Sequence, residues 1–216
     1  MNTVAVIDYG MGNLRSVVKA IEHMAPRARV RLTSDATEVA RAERVVFPGQ
    51  GAIAGCMTAL DVGHLRDAVF EAVQNKPFLG ICLGLQALFE FSDEDGGVKG
   101  LGILPGHVPR FPPTMIRDPG TGQRLKVPHM GWNHVRQTQA HPLWKGIPDN
   151  TRFYFVHSYY ADATERGHIA GETDYGLRFI SAAVRANIFA VQFHPEKSAA
   201  AGLQLLDNFM NWNVNE

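Results

Sequence analysis

The chain has 216 residues, with 21 basic and 21 acidic side chains and 45% hydrophobic residues. Zero net charge argues against a protein that lives on nucleic acid, where a basic face supplies most of the affinity, and two cysteines, Cys56 and Cys82, give neither a disulfide framework nor a zinc spacing. A chain of this size buries about 70% of the surface its unfolded form exposes, so one domain over residues 1–216 is expected.

Val4-Ala5-Val6-Ile7 reads as a buried strand, too short for a membrane span and not preceded by a basic segment. A reducing cytoplasm is the expected setting. Leu14, Val17, Val18, Ile21 and Met24 then follow helical spacing. Ala28–Leu32 is a second strand, and Val45-Val46-Phe47 a third, closed by Pro48-Gly49. Leu65, Val69, Ala72 and Val73 mark another helix, Phe78–Ile81 a fourth strand, and Gly84–Phe89 the start of a further helix. Strands alternating with helices predict an α/β fold with a mainly parallel sheet flanked by helices. Residues 92–131 are rich in Gly and Pro, with turns at Asp95-Gly96-Gly97 and Asp118-Pro119-Gly120, and His129–Asn133, with Trp132, reads as a loop at the end of this region. Residues 152–160 are aromatic and strand-like, Ile188–Phe193 is an apolar strand, and Leu203, Leu206, Phe209 and Met210 belong to a last helix. Residues 110–126 and 161–176 are expected to be surface loops.

Gly10-Met11-Gly12-Asn13-Leu14-Arg15 follows a strand and opens a helix, as a dinucleotide fingerprint does. Arg15 stands where the third glycine would allow close packing, so a tight turn is the better reading.

Gly80-Ile81-Cys82-Leu83-Gly84 has the G-x-nucleophile-x-G form of a nucleophile elbow, with Cys in place of Ser. Small flanking residues let the backbone turn sharply from strand to helix, and a helix N-terminus behind Cys82 favours a thiolate. A buried structural cysteine is the bland alternative. His194-Pro195-Glu196 follows a strand and supplies a base and an orienting carboxylate. Extended geometry would put residues 194 and 196 on one side, with Pro195 keeping the segment out of a helix. Pro48-Gly49-Gln50-Gly51 ends the third strand, and its glycines allow backbone N–H groups to point at a developing oxyanion.

These three motifs, in this order, resemble the class I (triad) glutamine amidotransferases across the whole chain. Asp8–Leu14, Val127-Pro128-His129-Met130-Gly131-Trp132-Asn133 and Phe155–Tyr160 are similar to the branch of that family that serves histidine biosynthesis. Gln50 departs from the small aliphatic residue usual there, and Ile53 from a frequent Phe. The resemblance implies hydrolysis of glutamine by Cys82, His194 and Glu196, with oxyanion donors from Gly49, Gln50, Gly51 and Leu83. It implies glutamine contacts at Gln86, His157, Ser158 and Tyr159, and no metal or other cofactor. It also implies a heterodimer with a (β/α)8-barrel cyclase, to which the ammonia passes, with Asn13, Trp132 and Lys197 at the interface. A glutaminase for another synthase, a stand-alone cysteine hydrolase and an inactive regulatory subunit are the competing readings.

Overall fold

Four consecutive apolar residues at the N-terminus, Val4 to Ile7, are all buried, as a strand covered on both faces requires. In the computed structural model, which describes residues 3–10, 12, 14–112, 117, 120 and 122–214, they form β1 (Thr3–Ile7). The chain then alternates: α1 (Leu14–Met24), β2 (Arg29–Thr33), α2 (Ala36–Arg41) and β3 (Arg44–Gly49). Next come α3 (Ile53–Val62), α4 (Leu65–Asn75), β4 (Phe78–Cys82) and α5 (Leu83–Gln86). α1 buries Leu14, Val17 and Ile21, three of the helical-stripe positions read from the sequence. α2 and α3 carry no comparably clear stripe, which is why the spacing alone did not mark them.

Beyond α5 the chain departs from the alternation. Strands β5 (Phe89–Ser92), β6 (Val98–Lys99), β7 (Leu104–Val108), β8 (His129–Gln137), β9 (Thr151–His157) and β10 (Asp162–Ala163) follow in order. They lead to β11 (Ile169–Asp174), β12 (Arg178–Arg185), β13 (Ile188–Val191) and the closing helix α6 (Ala199–Asn211). Among the described residues the large sheet runs β2-β1-β3-β4-β13-β12-β11-β8-β9, and a smaller one β10-β7-β5-β6. The large sheet is parallel from β2 to β13 and antiparallel from there to β9. Alternate residues feed two cores. Ala5, Ile7, Val45 and Phe47 pack with α2 to α4 on one side. Val4, Val6, Val46 and Ile81 pack with α1, α6 and the aromatics of β9 and β12 on the other.

Three expectations need correction. The helix expected over Gly84–Phe89 stops after four residues at Gln86, because Phe89–Ser92 pairs with β7 in the small sheet. The segment 161–176 is not all loop: Ile169–Asp174 is a strand held between β12 and β8. Trp132 does not sit in a loop but on β8, at the antiparallel end of the large sheet. Asp118 and Pro119 of the second expected turn lie outside the described residues. No helix among the described residues is long and apolar enough to cross a membrane.

Candidate active site

The register of the parallel strands brings the three motifs together. Gly49, at the end of β3, lies beside Cys82, at the end of β4. On the other side of β4, Val191 of β13 lies beside Ile81, so the residues that follow Val191 run past Cys82. This is the carboxyl edge of a parallel sheet, where α/β folds place their ligands.

Cys82 turns the strand into α5 with φ 54° and ψ −106°, a region that costs a non-glycine residue of order 1–3 kcal/mol. The flanking glycines make the turn possible by close approach. A Cβ on Gly84 would fall 1.8 Å from the Phe47 carbonyl oxygen, and one on Gly80 2.9 Å from Cβ of Ala190. α5 has only four residues, so its dipole is far smaller than that of a full helix. The helix N-terminus expected to favour a thiolate at Cys82 is therefore that of a single short turn.

His194 and Glu196 are paired: Nδ1 of His194 and Oε1 of Glu196 are 2.9 Å apart, with side chains only 2% and 1% exposed. Pro195–Lys197 is a turn of 3-10 helix, not extended chain. Pro195 opens that turn, where an N–H is not needed, so the turn and not strand alternation brings Glu196 back to the imidazole. The His194 backbone is clamped as well. Its N–H donates to the Tyr154 carbonyl at 2.9 Å, and its own carbonyl accepts from the Ser198 hydroxyl at 2.6 Å. Burial pulls the His194 imidazole down, but the Cys82 sulfur and the Glu196 carboxylate outweigh it and push it up to about 10. Nε2 of His194 makes no hydrogen bond among the described residues, leaving that nitrogen available for proton transfer.

A cleft of about 450 Å³ opens over Cys82, walled by Gln50, Gly51, Leu83, Gln86, Glu94, His157, Ser158, Tyr159, His194 and Lys197, among others. Gln86 is buried, and its Nε2 donates to the Tyr159 carbonyl and to Oε1 of Gln192, both at 3.0 Å. With both N–H groups engaged, Gln86 offers the cleft an acceptor oxygen. Gly49 lies outside this cleft, in a small recess shared with Gln50, His194 and Glu196. Behind the turn, Tyr9 packs edge-on against Phe47. Burial and the Cys56 thiol hold its phenol well above the ordinary range, while the Gln50 backbone N–H draws it back.

Both ring nitrogens of His157 are engaged by protein groups. Its Nδ1 donates to the Tyr159 carbonyl at 2.7 Å, so its Nε2 is the acceptor for Nδ1–H of His129 at 2.9 Å. Lys197 is exposed at the rim, Trp132 is 44% exposed, and Asn13 lies outside the described residues. Two residues around Cys82 escaped sequence reasoning, Glu94 in the cleft wall and Gln192 buried behind it. Glu94 follows Ser92 in a segment that reads only as a turn, yet its Oε2 accepts from the Ile53 N–H at 2.8 Å and caps α3. Gln192, two residues before His194, was read only as part of a strand.

The sequence model of the family "Glutamine amidotransferase class-I" matches residues 5–212. The chain is 63% identical to the imidazole glycerol phosphate synthase subunit HisH of Aromatoleum aromaticum, over 98% of this chain and 99% of that one. It is 58% identical to the subunit of the same name from Nitrosospira multiformis, again over 98% and 99%. Among solved structures, PurLQS from Thermotoga maritima superposes with a TM-score of 0.69 at 14% identity, over 97% of this chain and 98% of that one, a likeness of fold.

Proposed function

The chain belongs to the class I glutamine amidotransferases, and from that premise we propose that it is the glutaminase subunit of an imidazole glycerol phosphate synthase, working as one amidotransferase domain. The sulfur of Cys82 attacks the side-chain amide carbon of glutamine. Nε2 of His194 takes the thiol proton and returns it to the departing ammonia, and Glu196 holds the imidazole in the tautomer that allows this. Water then cleaves the thioester, so that glutamine and water give glutamate and ammonia. The observation that carries this reading is the buried His194–Glu196 pair at 2.9 Å beside a cysteine at the end of a parallel strand.

The backbone N–H groups of Leu83 and of the Gly49-Gln50-Gly51 turn are the oxyanion donors in this reading, each worth about 2.7–4 kcal/mol. Gln86, through its oxygen, and the Glu94 carboxylate suit the α-ammonium of glutamine, with the His157–Tyr159 backbone closing the same end. Ammonia freed into water would be protonated and lost. The ammonia therefore passes to a partner, which by the family resemblance is a (β/α)8-barrel cyclase docked on the Trp132 and Lys197 side, forming imidazole glycerol phosphate and an aminoimidazole carboxamide ribonucleotide. Two free cysteines suit a reducing cytoplasm.

The Gly49-Gln50-Gly51 turn rests in this reading with a carbonyl, not an N–H, at the oxyanion position; glycines make such a peptide flip inexpensive, and partner binding would bias it. The test is glutamine hydrolysis with and without the cyclase subunit and its nucleotide. The isolated chain is expected to be nearly silent and the complex active. Cys82→Ala should abolish glutamine-dependent synthesis while ammonia-dependent synthesis persists. Glutamine turnover retained in Cys82→Ala overturns the nucleophile, and equal rates with and without the partner overturn the resting turn.

A further inference from the structure

The sulfur of Cys82 has a neighbour that the reaction as written leaves idle. Gln192 follows β13 directly, and its backbone is fixed by an N–H bond to the Ser181 carbonyl at 2.9 Å. Its side chain is fully buried, and Nε2 lies 3.6 Å from Sγ of Cys82. Oε1 accepts from Nε2 of Gln86 at 3.0 Å. The orientation of this amide follows from its partners. Gln86 must donate to the Tyr159 carbonyl, so it presents N–H to Gln192 as well. A flipped Gln192 would set NH2 against NH2 and turn a carbonyl oxygen toward the sulfur. The chain of bonds is therefore directional, and it delivers an N–H to the reacting atom.

We propose that Gln192 is a further catalytic residue: its amide N–H donates to Sγ of Cys82 and stabilises the sulfur while it carries negative charge, with Gln86 as the positioning residue that fixes the amide. The inference rests on Cys82 being the nucleophile. Sulfur carries negative charge twice, before attack and when the thioester breaks. A donor already in place at both moments needs no reorganisation, and a hydrogen bond to an ionised group favours that form. The short α5 leaves this role open. A purely structural Gln192 would tie α5 to β13 and contribute to stability, with no effect on the acid–base behaviour of the sulfur.

The test is the pH dependence of Cys82 alkylation by iodoacetamide in the full chain, with Cys82→Ala reporting the background from buried Cys56. Gln192→Met removes the donor at similar volume, and Gln192→Glu replaces it with an acceptor. The other titratable groups around the sulfur stay in place in both variants: His194 and Glu196 beyond β13, Tyr9 beyond β3, and Glu94, His157 and Lys197 across the cleft. The alkylation midpoint should rise by about one pH unit in Gln192→Met and further in Gln192→Glu. In the complex, kcat for glutamine at neutral pH should fall about tenfold or more, with KM changing much less. Midpoints within about 0.2 units of the parent chain overturn the proposal. So does failure of both variants to fold, since that assigns the amide a structural role. Hydrolysis surviving in Cys82→Ala would instead refute the nucleophile itself, a separate outcome.

Discussion

Acid should destabilise this chain through a buried pair of neutral imidazoles. His129 and His157 meet at 2.9 Å, one N–H to one lone pair. A proton added to Nε2 of His157 leaves two donors facing each other, and one added to Nε2 of His129 meets the Asn133 amide N–H group at 3.3 Å. Burial holds His129 down at about 4. Burial, followed by the neighbouring His129 charge, holds His157 at about 3. Both titrate near 6.5 when unfolded. Below 6.5 the unfolded chain therefore binds protons that the folded chain refuses. Stability is fully present above that pH and falls as pH drops toward 4. At about 1.4 kcal/mol per unit, moving to pH 5 costs about 2 kcal/mol for each ring and about 4 kcal/mol for the pair. His141, held down to about 4 by burial, adds a smaller share because its ring is partly exposed. His194 has a raised value, so its contribution is lost above 6.5 and not in this window. Urea unfolding of the isolated chain at pH 6.5 and pH 5, below the range in which His194 changes its contribution, measures the loss, a large fraction of a typical 5–15 kcal/mol total. His129→Asn keeps a side-chain N–H but removes one titrating ring, so it should show about half the loss. A stability change below about 1 kcal/mol in the parent chain would refute the reasoning.

Glu196→Gln should leave the fold and glutamine binding intact while kcat falls by several orders of magnitude, about 10⁴-fold in an analogous serine triad. A drop below tenfold in steady-state assays would make Glu196 structural. Gly84→Ala puts a Cβ 1.8 Å from the Phe47 oxygen, so α5 must shift. A stability loss of about 1–3 kcal/mol, read by urea unfolding, should accompany loss of glutaminase activity, and full activity would show that the elbow tolerates the displacement. Trp132→Ala should weaken association with the cyclase subunit by about 2–4 kcal/mol, or roughly 30- to 1,000-fold, in titration calorimetry. The free subunit should keep its thermal midpoint, since the ring is 44% exposed. Unfolding of the free subunit with normal binding by its folded fraction would instead make Trp132 a core residue.

The sequence was informative where one rule acts alone. The elbow glycines, the parallel strand ends and the first helix each follow from sterics or period, and each stands where its pattern put it. Pattern reading failed where pairing with a distant strand decided the outcome. Phe89 continues an apolar helical spacing, yet its segment joins β7, fifteen residues further on by the Phe89–Leu104 register. Trp132 lies in a Gly-rich stretch, yet its backbone is taken up by β9 opposite Tyr154. The segment 161–176 looks polar and irregular, but Ile169–Asp174 is completed from both sides by strands.

The cleft was legible in its reactive groups and opaque in the groups that orient them. Cys82, His194 and Glu196 stand out because their chemistry is uncommon at that spacing. A glutamine or a glutamate in a turn has too many ordinary uses to be noticed. Gln192 acquires meaning only through Oε1 on Gln86 and Nε2 on sulfur, two contacts across more than a hundred residues of chain. Glu94 acquires it only when Ile53 arrives at its carboxylate. Such residues are specified by the ends of three different strands converging, so the sheet must be assembled before their role can be read. That also bears on how the site is built. The strained turn at Cys82 is held by strand register on both sides, so loosening β13 would release Gln192 and His194 together, and with them both the donor on the sulfur and the base.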